Sequence, residues 1–172
     1  MIRRGGAGDR SGVALIEFAI VLPVLLLLFL GGYLLLDASA CKRRVTTTTR
    51  AVADLISQNE RVTTADVDTI LAAAAQIMTP YSAANAQVRV SQIGIDGTGA
   101  ARVQWSRGAG AYAADTPMPA WPAGMSAPNG FYIYSEVVYA YRPVANTILG
   151  ALTFRQTLIM LPRRSVSVVL AS

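Results

Sequence analysis

One acidic residue lies inside the most apolar stretch of the chain. Glu17 falls within "GVALIEFAIVLP", and residues 13–36 are otherwise nearly all apolar. An ionised acid costs roughly 2.5 to 3.5 kcal/mol at the centre of a membrane and less near its surface. Such a group needs a positively charged partner or contact with lipid headgroups. Any function assigned to this segment must therefore explain why it contains Glu17.

Other residues that could carry chemistry are scarce. The sequence has no histidine, which removes the commonest general base and metal ligand, and its single cysteine, Cys41, cannot form a disulfide within the chain. Glu136 and Asp115 stand without a visible base, metal-ligand cluster or phosphate-binding loop. The net charge of +5 does not form a basic stripe with aromatic residues. We therefore expect no enzymatic activity, cofactor, metal, small-molecule substrate or nucleic-acid partner.

The apolar run is long enough to cross a membrane once. At about 1.5 Å per residue it spans roughly 36 Å, against a hydrocarbon core of about 30 Å. Pro23, Gly31 and Gly32 lie inside it, and both residue types are tolerated in membrane helices. Basic residues both precede and follow the run, so charge alone does not orient the helix. The sequence predicts a single-pass membrane protein.

Three fates of the N-terminus compete. A signal peptide, or a lipoprotein signal ending at Cys41, needs an apolar region of about 7 to 15 residues. This run is longer, and Asp37 separates it from the small residues before Cys41. A plain signal anchor explains the length but explains Glu17 only if the carboxylate reaches the headgroups. The third fate is cleavage after Gly12, which makes Val13 the N-terminus.

The third fate corresponds to a known sequence pattern. A small residue, four apolar residues, Glu17-Phe18 and a long apolar helix resemble type IV prepilins, and in particular TadE-like pseudopilins of the tight-adherence (Flp/Tad) pilus system. The resemblance implies that a prepilin peptidase cuts after Gly12 at the cytoplasmic side of the bacterial inner membrane. It also implies an extracytoplasmic C-terminal domain. The free amine of Val13 in one subunit could then pair with the Glu17 carboxylate of a neighbour, so that two costly groups compensate each other.

The expected function follows from this resemblance. We expect a minor pseudopilin that acts in assembly or initiation of a Tad pilus, with Glu17 and Phe18 in contact with neighbouring subunits. Its partners would be the prepilin peptidase, other pseudopilins or pilins, inner-membrane Tad assembly proteins and membrane lipid. The alternative is an unprocessed, membrane-anchored binding module with an extracytoplasmic domain.

The whole chain predicts an α+β protein. We divide it into a basic leader at 1–12, a transmembrane helix at 13–36, a helical stalk at 37–58 and an extracytoplasmic domain at 59–172. Thr63 and Asp66 approximate a capping box before apolar residues at helical spacing, which predicts a second helix that ends before Pro80.

The remaining pattern predicts a sheet of about four antiparallel strands. Residues from 86 onward alternate, "DGTG" at 96–99 makes a turn, and a change of phase predicts a bulge near Ser91. Residues 131–144 are apolar on both faces, as in a central strand with a helix on one side. Residues 146–152 predict a short turn or helix, followed by one or two strands split at Pro162.

Two aromatic features belong to this sheet prediction. Trp121 lies in a Gly-, Ala- and Pro-rich loop at 107–130, and we expect it to pin the loop to the core rather than to face a partner. The pattern of the predicted central strand also resembles the tail strand of TadE-like domains. Its residues are Val137, Tyr139, Tyr141 and Pro143.

Overall fold

The described residues form two α-helices, a four-stranded antiparallel sheet and a short two-stranded parallel sheet, which confirms the predicted α+β class. The computed structural model describes residues 10–118, 121–143 and 150–171. The helices are α1 (Arg10–Ser57) and α2 (Thr64–Gln76). The strands are β1 (Arg61–Thr63), β2 (Ala86–Ile95), β3 (Ala101–Gly108), β4 (Phe131–Tyr141), β5 (Leu152–Met160) and β6 (Val169–Ala171).

The main sheet has the strand order β3-β2-β4-β5, with every neighbouring pair antiparallel. β4 is interior, as its two-sided apolar pattern predicts, and it ends two residues before Pro143. The predicted turn or helix at 146–152 lies largely outside the described residues, and Leu152 already belongs to β5. β1 and β6 form a separate parallel pair, and at three residues each they are too short to show a sequence period.

α1 continues without interruption from the apolar run into the outer part of the protein. It contains Pro23 and a run of four threonines that lowers intrinsic helix propensity. Each threonine hydroxyl donates a hydrogen bond to the carbonyl four residues earlier, at 2.8 to 3.1 Å. These bonds satisfy the hydroxyls inside the helix, which matters because Thr48 and Thr49 are fully buried.

The outer part of α1 lies along one face of the sheet. One stripe of the helix is buried there, and α1 contacts both β4 and β5. The stripe recurs at intervals of three, four or seven residues, as expected for a helix that buries one side. Its apolar members are Leu34, Cys41, Val45, Val52, Ala53 and Ile56.

The second helix begins at the predicted capping box. The Thr63 hydroxyl accepts a hydrogen bond from the Asp66 backbone N–H at 3.1 Å, and the Asp66 carboxylate accepts one from the Thr63 N–H at 2.9 Å. Two backbone N–H groups at the helix start are thereby satisfied. The buried face of α2 consists of Val67, Leu71 and Ala74, and it completes the core on the helix side of the sheet.

The change of phase in β2 has a different cause from the one expected. An irregularity does lie next to Ser91, between Gln92 and Ile93, but the extra residue is Gln104 of β3. β2 pairs with β4 without any shift. Val88 and Val90 face the helices, whereas Ile93 faces a second apolar cluster on the outer side of the sheet. The alternation therefore changes because one strand serves two cores.

The outer cluster is covered by the loop that follows β3. The Trp121 ring packs edge-on against Tyr132, with 5.4 Å between ring centroids, and its Nε1 donates to the Met125 carbonyl at 3.0 Å. Trp121 therefore pins the loop, as predicted. Gly108 starts the loop with φ +107°, and a Cβ there would lie 2.2 Å from the Val88 carbonyl oxygen. Only glycine fits that position.

Candidate membrane anchor and junction

The inner part of α1 receives no cover from the other residues that the structure describes. Every side chain from residue 13 to residue 30 is exposed, including large apolar groups such as Phe29 at 76% and Leu27 at 71%. In the described part of the chain, α1 is the one helix long and apolar enough to cross a membrane. An apolar surface on all sides of a helix needs lipid or other helices around it. The protein therefore has one N-terminal helix suited to single-pass anchoring.

The predicted assembly residues all lie on this uncovered segment. Gly12 is in the first turn of α1, and Val13, Glu17 and Phe18 are exposed. Val13 and Phe18 each have 58% of their surface accessible. None of the ion pairs formed among the described residues includes Glu17. The structure thus brings the four residues onto one helical segment, and any partner of Glu17 must come from outside the described chain.

Among the described residues, the space beside the two adjacent glycines of the apolar segment is also empty. A Cβ added at Gly31 or Gly32 would meet nothing within 4 Å. Packing within the described part of this chain therefore does not require glycine at either position. Glycine lets the backbone of a second membrane helix approach closely.

A hydrogen-bonded junction lies where the apolar run ends. The Asp37 carboxylate accepts hydrogen bonds from the hydroxyls of Tyr81, at 2.8 Å, and Tyr141. The Tyr81 hydroxyl is also 3.0 Å from the Asp37 carbonyl oxygen. Tyr81 follows α2 and Tyr141 ends β4, so one carboxylate ties α1 to two other elements. We call these three residues the Asp37 junction.

The tyrosines of the junction are held in an aromatic cluster. The Tyr81 ring packs edge-on against Tyr139 and Tyr141, with centroids 6.4 and 6.3 Å apart. Burial, and then the hydrogen bond to Asp37, raise the pKa of Tyr81 and Tyr141 well above the usual 10. Because the pKa of each tyrosine is higher in the folded state, the protonated hydroxyls contribute to the stability of the fold. This contribution is complete below about pH 10 and is lost as the pH rises through the pKa of the folded state. Both hydroxyls remain donors at neutral pH.

Cys41 is buried one helical turn beyond Asp37. Its side chain is fully buried in the main core, and burial, with a smaller contribution from the Asp37 charge, raises its pKa to about 11. A protonated, buried thiol is neither a good nucleophile nor accessible for joining two chains. A mature chain starting at Cys41 would also lose Asp37, and with it the contacts to Tyr81 and Tyr141.

The two acids considered for catalysis have structural partners. Glu136 is 2% exposed and lies between Arg89, with which it forms an ion pair, and Arg155 at 3.4 Å. The Arg89 guanidinium also stacks on Tyr112 at 3.9 Å. Asp115 is an exposed loop residue that pairs with Arg102 at 3.3 Å. No group of three or more potential metal-ligating side chains occurs among the described residues.

These features define a class of protein in which a single-pass helix is continuous with an α+β domain. Comparison of the sequence with protein families gives a more specific relationship. The model of the TadE-like protein family matches residues 12–54, about a quarter of the chain. The match confirms the resemblance to TadE-like proteins for that segment. It starts at Gly12 and includes Glu17 and Asp37, but it does not reach the strand with Tyr139. No curated protein and no solved structure matches the chain.

The Asp37 junction gives a stability prediction with an internal control. Asp37→Asn replaces a charged acceptor of two hydroxyl hydrogen bonds, and we expect a loss of about 1 to 2 kcal/mol in the free energy of unfolding. Asp54→Asn makes the same change on the same helix, where the partners Arg163 and Gln58 are exposed, and should cost less than about 1 kcal/mol. Denaturant titration in micelles, followed by tryptophan fluorescence, measures both. Equal losses would contradict a specific role for Asp37.

Proposed function

We propose that the protein is a minor pseudopilin that acts in assembly or initiation of a Tad pilus. A prepilin peptidase cuts after Gly12 on the cytoplasmic side of the bacterial inner membrane, and the mature chain crosses that membrane once. The domain beyond the helix is extracytoplasmic. The observation that carries the proposal is the uncovered apolar half of α1, which starts at the predicted cut and presents Glu17.

The architecture of α1 supports such a role mechanically. Its inner half offers an apolar surface on all sides for lateral contact with other pilin-type helices, and open glycines at 31 and 32 permit close approach. Its outer half is fixed to the sheet by the core and by the Asp37 junction. A displacement of the membrane helix is therefore transmitted to the outer domain without a flexible linker in between.

Glu17 completes this role once the leader has been removed. Cleavage gives Val13 a positively charged amine four residues, or about 6 Å along the helix, from the carboxylate. Within the apolar segment a charged group is stabilised by an opposite charge. The Val13 amine of a neighbouring subunit, displaced along the helix axis, supplies that charge. The pair would set the register between subunits, with the exposed ring of Phe18 beside it.

Cleavage at Gly12 is tested by intact mass spectrometry of the protein extracted from a host that contains the peptidase. The wild-type mass should correspond to a chain that starts at Val13, and Gly12→Val should retain the leader because the branched side chain does not fit a site selective for a small residue. Gly31→Val is the matched control, since open space surrounds Gly31, and it should be cleaved normally. A wild-type chain that keeps Met1 would instead favour the unprocessed binding module.

The role of Glu17 is tested by crosslinking in membranes. Glu17→Ala should leave insertion and cleavage intact but reduce crosslinks to neighbouring pilin-type helices several-fold, because the partner amine loses its counter-charge. Ile16→Ala is the control, since Ile16 is exposed on the same turn and its loss removes apolar surface without removing charge. Crosslinking that is unchanged in Glu17→Ala, or equally reduced in Ile16→Ala, would defeat the pairing.

A further inference from the structure

The two edges of the main sheet are treated differently. The edge of β3 is covered, since the following loop returns along it and forms backbone hydrogen bonds with Ala101 and Val103. Val103 donates to the Thr116 carbonyl at 3.0 Å and accepts from Asp115 at 2.8 Å. Within the described residues, no segment pairs with the outer side of β5. In the part of the chain that the structure describes, one edge is closed by the chain itself and the other is open.

The hydrogen-bond alternation identifies which groups of β5 face the open edge. In an antiparallel sheet, successive residues direct their N–H and C=O groups to opposite neighbours. Ile95 donates to the Gly130 carbonyl at 2.8 Å, so every second position of β4, counted from Gly130, bonds β2. The intervening positions bond β5. By the register of that pair, the residues left facing outward are Thr153, Arg155, Thr157 and Ile159.

The sequence of β5 does little to protect this edge. β5 forms nine consecutive pairs with β4 without a bulge, and it contains neither proline nor glycine. Proteins usually protect long open edges with bulges, prolines, charges or covering segments. Here the only charged residue of the strand is Arg155, whose side chain is 69% exposed. A regular edge of this length is a template for another extended chain.

The surroundings of the edge indicate what kind of chain fits. A groove of about 530 Å³ runs between β5 and the outer part of α1, with Ala51, Leu158 and Met160 in its walls. Arg50 is exposed on its helix side, and Arg155 lies on the opposite face of the strand. Arg163 is already paired with Asp54 at 2.7 Å. Arg155 lies 3.4 Å from buried Glu136, but 69% of its side chain stays exposed. The most exposed charges beside the edge are therefore arginines, and pairing of two copies edge to edge would bring these arginines together.

We propose that the open edge of β5 binds an extended, acidic segment of another polypeptide, which adds to the sheet as a further strand. Backbone hydrogen bonds to Thr153, Arg155, Thr157 and Ile159 hold the segment. Its acidic side chains meet Arg50 on the helix side or Arg155 on the outer side, and small or apolar ones contact Ala51 and Leu158. This site goes beyond the proposed assembly role of the membrane helix and does not depend on cleavage after Gly12.

The probe is a short peptide built only from Asp, Val and Thr, with a matched peptide that carries Lys in place of each Asp. Fluorescence anisotropy with the full-length protein in micelles should show saturable binding of the acidic peptide only. Arg155→Gln should weaken binding about two- to fivefold. Arg102→Gln is the control on the covered edge, where the arginine also pairs with a carboxylate, and it should bind as wild type.

A second variant tests the backbone contact. Thr157→Pro removes an outward N–H while leaving the bonds between β4 and β5 in place, and it should weaken binding about three- to tenfold. If this variant does not fold, hydrogen exchange of the backbone amides in the wild-type protein tests the same contact. The acidic peptide should slow exchange at residues 153, 155, 157 and 159 more than at the residues between them.

Three results would overturn the proposal: absence of saturable binding by the acidic peptide, equal binding of the lysine peptide, or equal loss in Arg102→Gln. The Gly12→Val variant separates the two proposals of function. It should bind the peptide as wild type does, so a failure of cleavage and a failure of the β5 edge are independent results.

Discussion

The carboxylate of Asp37 occupies the point at which two environments meet along one helix. From residue 13 up to residue 30 the helix is exposed on all sides among the described residues, whereas from Leu34 onward it buries a stripe against the sheet. Asp37 accepts hydrogen bonds from Tyr81 and Tyr141, which belong to separate elements. Because α1 has no break at this point, the contact fixes the direction in which the membrane helix leaves the domain.

The residues that follow extend this attachment along the helix. Cys41, Val45, Val52 and Ile56 continue the buried stripe, and the threonines between them satisfy their hydroxyls within the helix. The C-terminal tail closes the far end, where the Val168 N–H donates to Gln92 and its carbonyl accepts from Trp105. The outer half of α1 is thus held along its length, whereas the inner half is the part suited to contact with lipid.

Local sequence patterns predicted much of this fold. The capping box at Thr63, the turn at 96–99 and the interior strand β4 each depend on residues close together in sequence, and each is present. The sequence predicts a bulge from the phase change in β2. A strand that contributes side chains to two apolar clusters, one on each face of the sheet, produces the same change of phase. β6 is too short to show any period, although its pairing with β1 closes the fold.

The candidate site divides in the same way. Gly12, Val13, Glu17 and Phe18 were predicted from a local pattern of spacing, and the structure places them on one helical segment. Their roles in processing and subunit contact stay predictions. The Asp37 junction was missed because its partners Tyr81 and Tyr141 lie 44 and 104 positions away. Tyr141 in a strand is also equally consistent with ordinary sheet packing. The available signal was an acid directly after an apolar run. Only the fold shows what that acid contacts.

The central claim is that one continuous helix is uncovered by its own chain in its inner half and packed against its own domain in its outer half. Spin labels scanned along α1 in lipid bilayers, in a Cys41→Ala background, measure this directly through accessibility to oxygen. We expect high accessibility to oxygen without periodicity up to residue 33, and beyond it a period of about 3.6 residues with minima at the buried stripe. A periodic minimum throughout the inner half, or its absence beyond residue 34, would contradict this claim.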